Sequence, residues 1–427
     1  MESFALAASF VVVLLASLSI RFWLATRQMR HVAAHRDAVP VAFAASVSLT
    51  AHRKAADYTL AKSRFGLLTM AFGATVLIGW TLLGGLDVLN TQLRDAVQPR
   101  WGDTAYQLCL LAVFALIGAL LDLPFGLYST FRIEQQHGFN RMTWRLYLTD
   151  MVKGLLVGAA IGLPVVALML WIMGASGPLW WFWAWCAWMT FNLLALVLYP
   201  TVIAPLFNRF EPLADESLKA RVQALMARCG FAAKGLFVMD GSKRSGHANA
   251  YFTGFGAAKR VVFFDTLLGK LSPGEVEAVL AHELGHFKHR HVVKRIAAMF
   301  GLSLLGFALL GYLSRQTWFY EAFGVQASMA ARNDAVALIL FLLVIPTFTF
   351  FVSPLFARLS RKQEFEADAY ACLQADGGNL AAALLKLHED NASTLTPDPL
   401  YVRFYYSHPP ASERLAALAL QTRLHAA

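Results

Sequence analysis

Long apolar runs recur along this chain, at 4–24, 65–89, 106–128, 155–174, 178–203, 296–313 and 335–356. Each is on the order of 20 residues, the length an α-helix needs to cross about 30 Å of hydrocarbon. In lipid every backbone N–H and C=O must find its partner inside its own segment, so such runs admit spanning helices and little else. Seven of them in 427 residues predict a mainly α, polytopic membrane protein. With 57% hydrophobic and 15% charged residues and a mean hydropathy of +0.51, the chain is too apolar for a water-soluble globule. Only Glu2 is charged ahead of the first run, so that run lacks the basic start of a cleavable signal and is expected to stay as an anchor.

Lys and Arg in short loops set orientation, because cytoplasmic loops retain them. Arg27, Arg30, Arg36, Arg53, Lys54, Lys62 and Arg64 crowd the first loop and Arg132, Arg141 and Arg145 the third. The second has Arg94 and Arg100 beside Asp95 and Asp103, and the fourth, around Ala175, is uncharged. The N-terminus is therefore expected outside and the C-terminus inside. The net charge of +10 is spread over these loops, where orientation and anionic headgroups account for it, and no groove-reading module accompanies it. Nucleic acid is thus not an expected partner; the lipid bilayer is. Cys109, Cys186, Cys229 and Cys372 form no CxxC pair, and two fall inside spans, so no disulfide framework or thiolate zinc site is indicated.

Polar residues gather at 208–295 and 357–427, both on the expected cytoplasmic side. The expected organisation is a membrane region at 1–207 with five helices, a cytoplasmic α+β domain at 208–295, two helices at 296–356, and a cytoplasmic segment at 357–427 that folds onto the domain. Residues 215–229 have the pattern of an amphipathic helix stopped by Gly230. "GLFVMD" (235–240), "HANAYF" (247–252) and "RVVFFD" (260–265) look like strands, with turns at Gly241 and at 254–256. Ser272-Pro273-Gly274-Glu275 then has the form of a capping box, which starts a helix at a defined residue.

That helix carries His282-Glu283-Leu284-Gly285-His286. At i and i+4 the two histidines share a face and can bind one ion, while Glu283 lies at the edge of that face and can serve a bound water as base. Lys288, His289, Arg290 and His291 follow as a basic collar where the helix nears the membrane. The extended three-histidine form is excluded, because His289 and Val292 stand where it requires Gly and His. A third ligand must come from elsewhere, and the densest carboxylate cluster is "RKQEFEADAY" (361–370). Glu364 and Asp368 are i and i+4 there, so one can bind metal while the other holds a ligand histidine by its second nitrogen. Glu366 is expected to point away into solvent.

These residues, with "FRIEQQHGFNRMT" (131–143), "IAPLFNRFEPL" (203–213), "HANAYFTGFG" (247–256), "RVVFFDTLL" (260–268) and "SHPPASERL" (407–415), make the chain resemble the type I CAAX prenyl endopeptidases. Those are integral-membrane zinc metalloproteases of the endoplasmic reticulum, with bacterial relatives. The resemblance implies seven membrane helices, a cytoplasmic zincin-like site with one zinc ion per chain over a water-filled chamber, and a peptide or protein substrate. It makes Glu364 the third ligand and Asp368 a support to the ligands. It also places Asn249 on an edge strand along which substrate extends. His408 and Arg414 would lie nearby, the former as donor to the tetrahedral oxyanion, the latter bracing Asp368 or Glu366. The chain departs from the family's usual Lys after "GFN", having Arg141. Its short, alanine-rich form resembles a bacterial member, for which membrane-associated peptides, lipidated or not, are the expected substrates and the inner membrane the expected location. Three other readings are a heat-shock-type quality-control metalloprotease, a metal-binding transporter or channel, and a noncatalytic scaffold. The first has fewer spans, the second requires paired ionisable residues at depth, and the third is at odds with an intact motif.

Overall fold

The computed structural model describes residues 1–231, 235–253, 260–328 and 331–426. Among them are seven helices long and apolar enough to cross a membrane. They contain α1 (Glu2–Ala34), α2 (Leu49–Trp80), α3 (Gly85–Tyr128), α4 (Trp144–Ala175) and α5 (Trp180–Leu198). Ser48 and Thr143 cap α2 and α4 by accepting from the backbone N–H groups of Ala51 and Leu146, which fixes where each begins. Leu116, Leu155 and Leu302 are left uncovered by protein, as side chains facing lipid would be.

The second span is shorter at its end than the apolar run suggested. Its helix stops at Trp80, and the chain turns through Gly84 at φ 75° before α3 starts. Leu86 is fully buried and belongs to the next helix, so hydropathy alone ran across a turn. Gly102, at φ 80°, breaks α3 in turn.

After the fifth span comes a small sheet: β1 (Phe210–Pro212), β2 (Gly235–Met239), β3 (Ala250–Thr253) and β4 (Arg260–Phe264), with α6 (Glu216–Arg228) between the first two. Spatial order is β1-β2-β4-β3, with β2 and β4 parallel and the outer pairs antiparallel. The expected strand at 247–252 is observed only at its second half, and β1 was not foreseen, since three residues carry no readable alternation. The turn expected at 254–256 lies outside the described residues. Asp215 caps α6 and Gly230 follows it at φ 64°, as that helix's stop requires.

Then follow α7 (Pro273–Lys288), α8 (His291–Leu313), α9 (Asp334–Thr349), α10 (Ser353–Gln374), α11 (Gly377–Asp390), α12 (Pro399–Tyr405) and α13 (Ala411–Ala426). The capping box at Ser272 and Glu275 forms in both directions. A core of Val222, Leu225, Phe263, Leu280, Leu284 and Leu384 joins α6, the sheet, α7 and α11. The polar segments before the sixth span and after the seventh are therefore one folded body. Its key contact is α7 against α10, where Gly285 meets Ala367.

Candidate metal centre

That crossing brings the histidines of α7 to the carboxylates of α10. His282 Nε2 is 3.4 Å from Glu364 Oε2, and His286 Nε2 is 3.4 Å from Glu364 Oε1. One ligand atom from each of His282, His286 and Glu364 can be chosen so that all lie within 4.8 Å of one another, the only such group among the described residues. Glu364 Oε2 is buried without a hydrogen bond, with His282 Nε2 at 3.4 Å and the Arg414 guanidinium at 3.8 Å, and a buried carboxylate oxygen in that state gains from a cation placed between it and the two histidines. Two imidazoles and one carboxylate suit a catalytic zinc site, which keeps further positions open. These residues fit the ion.

Electrostatics point the same way. Burial opposes charge on His282, but the neighbouring carboxylates of Asp368 and Glu364 overcome it and push its pKa up to about 9. Positive charge is thus favoured on the His282 side of Glu364. His286 is driven down to about 4, by burial first and by His282 second. Glu283, half-buried beside them, is raised first by desolvation and further by Glu364, against the pull of His282 and Arg414.

A layer of supporting contacts holds this set. His282 Nδ1 lies 2.8 Å from Asp368 Oδ1, so the neutral ring that a metal requires donates its one proton there and keeps the Nε2 lone pair. Arg414, from the first turns of α13, donates to both oxygens of Asp368, at 2.6 and 2.8 Å. Of the two carboxylates the sequence offered to Arg414, it takes Asp368. His408 Nε2 is 3.4 Å from Glu364 Oε1, and its Nδ1 is 3.0 Å from Ser407 Oγ.

Glu366 corrects one expectation. Rather than standing free in solvent, its Oε2 is 2.9 Å from Nε2 of His291. His291 corrects another, being only 2% exposed while Lys288, His289 and Arg290 of the same collar are exposed.

The centre opens on a cavity of about 820 Å³ lined by Asn249, Glu283, His388, His408, Tyr58 and Lys62 among others. β3 is an edge strand beside it. Phe264 N donates to Asn249 O at 3.0 Å, and the Asn249 side chain accepts from the following Ala250 N–H at 2.8 Å. The segment around the "HGFN" block buttresses the approach to this strand. Phe139 stacks on His247 at 4.3 Å, Asn140 bridges to Ser245, and Tyr58 of α2 donates to Glu134 at 2.6 Å. Spacing gave no sign of His388, Tyr58 or Lys62 in the cavity, because α2 and α11 reach it only through tertiary packing.

Comparison with known proteins agrees with this geometry. Residues 28–209 match the family described as CAAX prenyl protease N-terminal, five membrane helices, and residues 212–422 match peptidase family M48. The chain is 36% identical to CAAX prenyl protease 1 of Saccharomyces cerevisiae over 86% of its own length and 85% of that protein. It is 35% identical to an Arabidopsis thaliana homolog of that protease (89% and 90% covered) and 33% to the Homo sapiens homolog (96% and 95%). A crystal structure of S. mikatae Ste24p superposes with a TM-score of 0.89 at 31% identity, covering 96% of this chain and 98% of that one. These matches run the length of both chains and do not favour a transporter, a scaffold or the shorter quality-control protease. A multi-pass membrane helix set, a metal-binding cluster on an HExxH helix and two contiguous family matches together mean that the chain belongs to peptidase family M48, as a membrane zinc metalloendopeptidase related to the CAAX prenyl proteases.

Proposed function

We propose that the chain hydrolyses peptide bonds in membrane-associated proteins or peptides, lipidated ones included, at one zinc ion per chain held by His282, His286 and Glu364. The observation that carries this is the convergence of those three side chains, whose ligand atoms lie within 4.8 Å of one another, with Glu283 beside them on the cavity wall. Zinc held there supplies Lewis acidity, which acidifies water and polarises a carbonyl. Glu283 takes the proton of the attacking water on its carboxylate and returns it to the leaving amine. His408 Nε2 donates to the scissile carbonyl oxygen as it gains charge. Asp368 fixes the His282 tautomer, and Arg414 neutralises Asp368 so that the ligand set keeps its net charge. A substrate strand extends along β3, where main-chain hydrogen bonds near Asn249 hold it without reading much sequence.

The organisation proposed is a five-helix membrane region at 1–207, a protease domain at 208–295, two helices at 296–356 and a closing segment at 357–427. The positive loops argue for the N-terminus outside and the centre inside, in a bacterial inner membrane or, in a eukaryotic cell, the endoplasmic reticulum. The test is to purify the protein in detergent, measure zinc by mass spectrometry, and assay a farnesylated CAAX peptide beside its unprenylated form. About one zinc per chain is expected in wild type and Glu283→Gln alike, with cleavage by wild type alone. Cleavage by Glu283→Gln would remove the general-base role, and equal cleavage of both peptides would remove lipid recognition.

A further inference from the structure

His291 is the first residue of α8, and it is buried although the three residues before it are exposed. The backbone of Arg290 turns it inward. Arg290 has φ 55° and ψ 33°, the left-handed region that non-glycine residues seldom enter. The chain thereby reverses between α7 and α8 within two residues, and the His291 ring folds back against the helix it has just left. Its Nδ1 lies 2.9 Å from His286 Nδ1, and its Nε2 lies 2.9 Å from Glu366 Oε2.

Two ring nitrogens at hydrogen-bond distance require that one carry the proton. The nitrogen that His286 turns toward Glu364 is Nε2, and a ligating nitrogen must keep its lone pair. The His286 proton therefore sits on Nδ1 and is donated to His291 Nδ1. The His291 proton then sits on Nε2 and is donated to the Glu366 carboxylate. With neutral rings, no other placement satisfies both contacts and leaves His286 Nε2 free. Each link donates in the same sense, from His286 through His291 to the carboxylate.

We infer that His291 and Glu366 are positioning residues for His286, fixing its tautomer and ring orientation for metal binding as Asp368 does directly for His282. The inference rests on the reading of His282, His286 and Glu364 as the ligand set. The difference between the two arms follows from α10. Asp368 is one turn from Glu364 and reaches His282 at 2.8 Å, whereas Glu366 lies off that face and meets its ligand histidine through an inserted imidazole. His289 stacks on His291 at 5.5 Å and closes its outer side.

The experiment measures zinc affinity of the full-length protein in detergent by competition with a chelator of known affinity. It is run beside kcat and KM on one peptide and the thermal midpoint of the metal-free protein. Glu366 is partly exposed, so Glu366→Ala disturbs no core; His291→Phe fills the space of the ring without its nitrogens. Both are expected to weaken zinc binding roughly tenfold to a hundredfold with KM unchanged. Glu366→Gln, whose amide oxygen still accepts from His291, is expected to recover most of the affinity, a rescue that a packing role would not produce. Wild-type zinc affinity in both Glu366→Ala and His291→Phe overturns the inference. So does a loss in Glu366→Ala that appears only as a lower thermal midpoint. Should wild type itself bind no zinc, the ligand reading falls and this inference with it.

Discussion

Gly285 and Ala367 stand where a side chain on the former has no room: a Cβ built at 285 would lie 2.9 Å from Ala367 Cα and 3.0 Å from Ala367 O. Those atoms are backbone and cannot swing aside. The crossing of α7 over α10 is thus set by the glycine within the HELGH stretch, and it decides how far His282 and His286 stand from Glu364. Gly285→Ala gains helix propensity but must push the helices apart, an overpacking cost of about 1–3 kcal/mol. The expected result is a lower thermal midpoint together with weaker zinc binding. A variant as stable and as zinc-replete as wild type would show that the two helices do not set the ligand spacing.

Arg414 and Asp368 are both buried, at 6% and 0% exposure, and their two-point pair has no water to fall back on. Removing one partner of such a pair leaves the other charge stranded, which costs about 3–5 kcal/mol. Arg414→Ala is expected to destabilise the domain by about that much and to weaken zinc binding, because Asp368, no longer held by the guanidinium fork, ceases to fix the orientation of the His282 ring. Arg414→Lys keeps the charge but loses the fork, and should fall between. Urea or thermal unfolding with zinc titration distinguishes the three proteins, and an Arg414→Ala protein of native stability would refute the assignment.

Much of this was legible because it is local. The capping box at Ser272 and the i, i+4 spacing of His282 and His286 are decided within a few residues of chain. Spacing alone did not choose between Glu364 and Asp368; the helix crossing brings the first to both histidines and the second to His282. Glu366 and His291 were misread for a physical reason. Their pairing depends on the left-handed turn at Arg290, and nothing in "FKHRH" announces that an arginine will adopt it. The end of the second span was hidden for a similar reason, since Leu82, Leu83 and Leu86 are apolar on both sides of the Gly84 turn.

The pH dependence of cleavage should carry the mark of Glu283. A base must be deprotonated to act, so activity rises with pH through its pKa and is lost below it. Burial lifts that pKa above the usual carboxylate range; His282 opposes the lift, Glu364 adds to it and Arg414 opposes it. The acid limb of kcat/KM is therefore expected above the pH at which an exposed glutamate would titrate, with a slope of about tenfold per unit. Measuring the profile with zinc in excess separates this limb from acid release of the metal. A limb at the ordinary carboxylate value would mean that a more exposed group is the base.

The edge strand yields a test that leaves the metal alone. Because Phe264 N donates to Asn249 O, residues 249 and 264 form a hydrogen-bonded pair, and alternation turns the N–H of Ala250 to the free side of β3. There the Asn249 side chain accepts from it at 2.8 Å. A substrate strand lying along β3 as proposed would take over that N–H and leave Asn249 to swing toward it. Ala250→Pro removes the donor at an edge position where proline costs the sheet no ladder bond. One main-chain hydrogen bond is worth about 0.5–1.5 kcal/mol, so KM should rise roughly two- to twelvefold with zinc content unchanged. Asn249→Ala keeps the backbone donor and should change KM less. If Ala250→Pro cleaves with the KM of wild type, the peptide does not lie along this edge, and the cavity wall near His388 becomes the place to look for it.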